Sequence, residues 1–212
     1  MAQGRRRSRP GARATRGAGD ADRIVEAAMG LIASRGWRSV SLAAVAEGTG
    51  LTVLQVYRVF PSRAAILCGF LRRIDEVALG VPAEVEIGER PRDRVFDLLM
   101  RRFDALQPYR GPLMALRRDL PFDPLSALAA GTALMCSMRV TLETAGISCD
   151  GVGGMFAVKL VAAAYLFASQ TWARDESPDL APTMAVLDRR LRAIERFLIP
   201  RRAADGRGEA AA

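Results

Sequence analysis

A chain of 212 residues, half of them hydrophobic and a quarter charged, has a soluble globular composition and a core large enough to need no disulfide or metal staple. The complete lack of histidine removes Ser-His-Asp and Cys-His nucleophiles, histidine-ligated metals and the commonest general acid–base. The net charge is +8, and six arginines (Arg5, Arg6, Arg7, Arg9, Arg13 and Arg16) precede the first acid, Asp20, so the N-terminal arm reads either as a phosphate binder or as a solvated tail.

Residues 1–19 are rich in Arg, Gly, Ala and Ser and are expected to be a disordered basic arm without the apolar stretch of a secretory signal. A helix is predicted from Asp20, with Ile24, Ala27, Ala28, Leu31 and Ile32 on one face and Gly36 as its stop. Ser41 caps a second short helix that turns Val45 and Ala46 inward. Gly48-Thr49-Gly50 then forms a tight turn, and Thr52 caps a third helix running to about Val59. Pro61-Ser62 breaks the chain and opens a fourth helix with Ile66, Leu67, Phe70, Leu71 and Ile74 apolar.

A stretch rich in Gly, Pro and Glu, Gly80 to Pro91, links to a helix bearing Val95, Leu98, Leu99, Phe103 and Leu106. Pro108 and Pro112 bracket a short element, and Pro121 and Pro124 mark a break before a long apolar helix to about Ala145. Val152 to Trp172 is apolar nearly all round, yet Lys159 interrupts it and glycines flank it, so it reads as a buried helix and not a membrane span. The last helix, from about Pro178 to Leu198, carries Met184, Leu187, Leu191, Ile194 and Leu198 at alternating spacings of three and four, the seam of a helix bundle. Leu187, Leu191 and Ile194 are the expected dimer interface, and residues 200–212 are expected to fray.

The acids Asp175, Glu176 and Asp179 lie in DESPD, between two helical patterns, and read as a solvated turn. The glycines of DGVGG at 150–154 follow no strand and make no nucleotide loop. Cys68, Cys136 and Cys149 are scattered, with no CxxC, and point to a reducing, cytoplasmic interior. No catalytic residue, metal ligand or cofactor is expected and the chain is not expected to be an enzyme; a carboxylate-dependent enzyme built on that acidic cluster is the weakest reading the residues leave open.

Residues 24–67, IVEAAMGLIASRGWRSVSLAAVAEGTGLTVLQVYRVFPSRAAIL, resemble the DNA-binding domain of the TetR family along their full length. The match rests on Ala27-Ala28, Gly36-Trp37, Ser41, Val45-Ala46, Gly50-Leu51-Thr52, Tyr57, Phe60 and Pro61-Ser62-Arg63. The resemblance implies an all-α, TetR-like fold. A three-helix helix-turn-helix domain over 20–67 would precede a helical ligand-binding and dimerisation body over 68–199. It implies that Ser41, Thr52, Tyr57 and Arg63 hold phosphates, with Arg63 where the family usually has lysine. Leu51, Val56 and Phe60 would be core, while Val53, Leu54, Gln55, Arg58 and Val59 face the major groove. There aliphatics can read thymine methyls, Gln55 adenine and Arg58 guanine.

The implied partners are double-stranded DNA, a second copy of the chain, and a small apolar ligand of unknown identity. Met114, Met135, Met138, Phe156, Tyr165 and Trp172 are candidate ligand contacts, since methionine and aromatic surfaces suit variable apolar molecules, with plain core packing the competing reading for each. Arg139 and Lys159 stand as charges in apolar helices, each able to pair with a neighbour such as Glu143 or to anchor an acid. The stretch WARDESPDLAPTMAVLDRRLRAIERFL also resembles the C-terminal region of the coenzyme-Q-biosynthesis accessory proteins. That resemblance implies an alternative, a lipid-binding protein of quinone biosynthesis that shares the fold and does not read DNA.

Overall fold

The computed structural model describes residues 10–80 and 90–198. The expectations for the outer arm, for most of the Gly/Pro/Glu link and for the C-terminal tail lie outside these residues. The described residues hold nine α-helices and no strand. The helices are α1 Pro10–Arg35, α2 Leu42–Thr49, α3 Val53–Val59, α4 Arg63–Leu79, α5 Pro91–Leu106, α6 Arg110–Asp119, α7 Pro124–Thr144, α8 Gly151–Trp172 and α9 Ala181–Ile194. Helix α1 starts at Pro10, well before the expected Asp20, because proline is pre-shaped for a first helical turn and Ala and Arg extend a helix well. Helix α9 is shorter than expected, closing at Ile194 into a tighter turn over Glu195–Phe197.

Two compact units divide the chain, Met1–Arg72 with Pro108–Gly131, and Arg73–Gln107 with Thr132–Ala212. This departs from the division at residue 67 expected from the sequence, because α6 and the start of α7 pack with the first helices. In the first unit Ile24, Ala28, Ile32, Trp37, Val45, Val56, Phe60 and Phe70 are buried. Phe70 meets Tyr109 edge-on at 5.0 Å, and Tyr109 donates to Glu26 at 2.6 Å. Gly36 adopts φ 78°, and a Cβ there would stand 2.7 Å from the Asp119 carboxylate, so both backbone shape and space call for glycine.

In the second unit, α5 buries Val95, Leu98, Leu99, Phe103 and Leu106, the face expected from its spacing. Leu187 and Leu191 of α9 are 0% exposed within this single chain. Leu187 and Leu191 of the three-four seam therefore pack α9 against α8 of the same chain and leave no surface of their own for the dimer contact expected of them. Ile194 is half-buried.

Asp175 corrects the reading of DESPD as solvated. It is buried at the α8–α9 corner, where its oxygens accept from the backbone N–H and hydroxyl of both Ser177 and Thr183. Burial alone would push this carboxyl up, but the Ser177 and Thr183 hydrogen bonds outweigh it and hold its pKa at about 2.

Candidate nucleic-acid interface and ligand body

The α2–α3 turn follows from its local sequence. Gly50 ends α2 in the left-handed conformation at φ 69°, and Thr49 returns its hydroxyl to the Val45 carbonyl at 2.8 Å. Arg23 of α1 donates to the Thr49 carbonyl at 2.7 Å and ties the first helix to the turn. Ser41 caps α2, accepting from the Ala44 N–H at 3.1 Å, and remains exposed. Ser62 caps α4 in the same way through Ala65.

Helix α3 buries Val56 alone, and Phe60 closes its end inside the core. Leu51, expected in that core, is half-buried. Val53, Leu54, Tyr57 and Arg58 are exposed on the opposite side, and Val59 is half-buried. Large aliphatics left in solvent on a short helix are uneconomical unless something covers them, and Leu54 is 56% exposed.

Two expected DNA contacts are engaged with each other. Gln55 Oε1 accepts from the Thr52 backbone N–H at 2.8 Å and from the Thr52 hydroxyl at 2.9 Å, while Thr52 Oγ1 accepts from the Gln55 N–H at 3.2 Å. This is a capping box that holds the start of α3. Reading adenine with both ends of the Gln55 amide requires opening it.

Arg63 is placed differently from the expected phosphate contact. Its Nη2 lies 2.8 Å from Asp123 Oδ2, and its guanidinium sits 5.4 Å from the centre of the Trp37 ring. Trp37 donates its backbone N–H to Asp119 and its indole N–H to Asp123, both at 3.0 Å. Asp123 also accepts from the Ser126 N–H at 3.2 Å, at the start of α7. Hydrogen bonds from Ser126 lead in holding its pKa at about 2, with burial opposing and Trp37 and Arg63 assisting. Neither acid was singled out in the sequence, since nothing in it pairs residue 37 with residues 119 and 123.

The candidate ligand contacts do not converge as a set. Met138, Tyr165 and Trp172 are buried in the second unit, where Phe103 stacks on Tyr165 at 5.1 Å and on Trp172 at 6.0 Å. Met135 is half-buried and lines an open groove of about 460 Å³ with Cys136, Arg139, Cys149, Met155 and Lys159. Met114 is half-buried in the first unit, and Phe156 is exposed on the outer side of α8, so neither joins the buried aromatic group. Arg139 pairs with Glu143 at 3.0 Å, the structural alternative for that charge.

Helix α2, the Gly50 turn and the exposed α3 have the arrangement of a helix-turn-helix. Residues 24–68 match the family described as bacterial regulatory proteins, tetR family. No curated protein matches the chain.

Among solved structures, a TetR transcriptional regulator from Nitrosomonas europaea is 21% identical with a TM-score of 0.64, over 82% of this chain and 96% of that one. A TetR regulator from Rhodococcus sp. RHA1 is 20% identical with a TM-score of 0.63, over 85% and 96%. The Thermus thermophilus repressor FadR, solved in complex with lauroyl-CoA, is 20% identical with a TM-score of 0.54, over 89% and 100%. The chain has the fold of the TetR regulators.

Proposed function

We propose that the protein is a ligand-responsive transcriptional regulator that binds a palindromic operator as a homodimer and acts as a repressor in the cytoplasm. The observation that carries this reading is the exposed face of α3, with Val53, Leu54, Tyr57 and Arg58 in solvent on a helix fixed by its capping box. Val53 and Leu54 fit thymine methyls, and Arg58 fits the two acceptors of guanine. Ser41 and Tyr57 flank that face with hydroxyls suited to phosphates.

The dimer face is reassigned. With Leu187 and Leu191 committed to the protomer core, the exposed apolar stripe of α8 (Val152, Met155, Phe156, Leu166 and Phe167) together with Met184 of α9 is the surface that needs a cover. Burying that stripe against a second copy gives the two-fold arrangement that a palindrome requires. Ligand bound in the helical body then shifts the dimer between two head spacings and so changes operator affinity. The lauroyl chain of the acyl-CoA in the T. thermophilus neighbour is an apolar group held there by a protein of this fold.

Selection of genomic fragments with purified protein tests this reading. A single enriched motif, bound more weakly as salt rises, is expected. Absence of any motif, with a prenyl lipid extracted from the same preparation, overturns it in favour of a lipid carrier.

A further inference from the structure

Arg102 stands on the buried face of α5, in step with Val95, Leu98, Leu99, Phe103 and Leu106, and is 2% exposed. An arginine at such a position takes a charge out of water and needs partners for five N–H groups. Its Nη1 donates to Asp75 of α4, and its Nε donates to the Tyr165 hydroxyl of α8 at 3.3 Å. The guanidinium carbon lies 5.4 Å from the centre of the Tyr165 ring. Ser137 of α7 donates to the Asp75 oxygen that Nη1 uses, at 2.6 Å. Four helices thus contribute to one buried polar cluster, walled by the stacked rings of Phe103, Tyr165 and Trp172.

The cluster is incomplete on one side. Nη2 of Arg102 is buried and has no acceptor among the described residues. A purely structural bridge is best made as a fork, with two arginine nitrogens on the two oxygens of one carboxylate. Here a single Asp75 oxygen serves both Arg102 and Ser137, and the second terminal nitrogen of Arg102 is left over. A buried charged donor left unsatisfied is costly, and a neutral acceptor that reaches it, whether water or a ligand oxygen, relieves that cost.

Charge decides what that group is. Asp75 already balances Arg102, so an anion would leave the cluster net negative among aromatic rings, with its own desolvation to offset. A neutral acceptor adds the missing hydrogen bond with no such cost.

We propose that Arg102 is the polar anchor of the ligand site in the second unit and takes the carbonyl oxygen of an uncharged, largely apolar molecule. The inference rests on reading the helical body as ligand-binding. Phe103, Tyr165 and Trp172 supply the apolar contacts, and Asp75, Ser137 and Tyr165 fix the guanidinium so that Nη2 is oriented before the ligand arrives.

The test compares three probes of similar length on the full chain by calorimetry: 2-nonanone, nonanoate and nonane. The ketone is expected to bind roughly tenfold more tightly than either of the others. Arg102→Lys keeps a cation opposite Asp75 but lacks the second terminal nitrogen, and it should bring the ketone-to-alkane ratio close to one. Should that variant fail to fold, Arg102→Met combined with Asp75→Leu removes both charges together and should give the same loss of preference.

Equal binding of ketone and alkane by the wild type, tighter binding of nonanoate, no binding of any probe, or an unchanged ratio in the variant that folds overturns the assignment. Failure of the regulator reading is separately visible. A wild type that prefers the ketone but selects no DNA sequence keeps the anchor and loses the regulator, and one that selects DNA but shows no preference among the probes does the reverse.

Discussion

Arg63 and Asp123 form an ion pair at 2.8 Å in which the cation expected to meet a phosphate already has a carboxylate partner. The same guanidinium lies over the Trp37 ring, whose indole N–H donates to Asp123 while the Trp37 backbone N–H donates to Asp119. Because its charge is balanced in the unbound protein, Arg63 contributes little to counterion release. Arg63→Ala should leave the slope of log affinity against log salt unchanged and lower stability by about 1 kcal/mol, through the partly exposed pair and the lost ring contact. A slope reduced by about 0.9 would restore Arg63 as a direct phosphate contact.

Gln55 and Arg58, adjacent in role as base readers, separate on structural grounds. Gln55 closes the capping box with Thr52, so Gln55→Ala should lower thermal stability, by roughly 0.5–2 kcal/mol, and weaken all DNA sequences alike. Arg58 is exposed, and Arg58→Ala should cost about 1–3 kcal/mol on the preferred site and relax the choice of base at one position. Binding curves on a library of single-base operator variants distinguish the two. A base-specific loss for Gln55→Ala would mean that the box opens on DNA.

Phe167 and Leu191 test the reassigned dimer face. Phe167 is 47% exposed and Leu191 is 0% exposed. Phe167→Glu should give a folded monomer in sedimentation at micromolar concentration. Leu191→Glu should lower the melting temperature sharply, since an unpaired buried charge costs about 3–5 kcal/mol. A folded monomer from Leu191→Glu, with Phe167→Glu still dimeric, would reinstate the α9 seam as the interface.

Asp123 and Asp175, both held at about 2, make the fold sensitive to acid. Each folded-state value lies below the unfolded one of about 3.9, so the unfolded chain binds more protons between these limits. The stability the two carboxylates contribute is fully present above about pH 4 and is lost as pH falls towards 2. Denaturant titrations across that window should show stability falling with pH in the wild type. Asp175→Asn should be less stable at neutral pH and show a flatter dependence; an equally steep dependence in Asp123→Asn combined with Asp175→Asn would place the acid sensitivity elsewhere.

The head was legible because its signals are local. Ser41, Gly50, Thr52 and Ser62 each act within four residues, and each sits at the helix end that its chemistry suggests. What the sequence could not convey is which element covers which face. Leu187 and Leu191 have the spacing of a seam whether the partner is α8 of the same chain or a second copy, and only packing decides between them. The pairing of Trp37 with Asp119 and Asp123 spans more than eighty residues and leaves no periodic trace. Arg102 did leave one. The apolar period of α5 passes through 95, 98, 99, 102, 103 and 106, and a lone arginine on that face marks a buried charge.

Leu54 supplies the most direct test of the central claim that α3 reads DNA. Selection of bound fragments is carried out with the wild type and with Leu54→Ser, whose exposed side chain leaves the fold intact. The wild type should enrich an inverted repeat whose half-sites lie about 34–36 Å apart, or a multiple of that. The variant should keep the spacing and change the preferred base, in particular a thymine, at one position in each half-site. The same motif from both proteins, or no motif from either, would contradict the account.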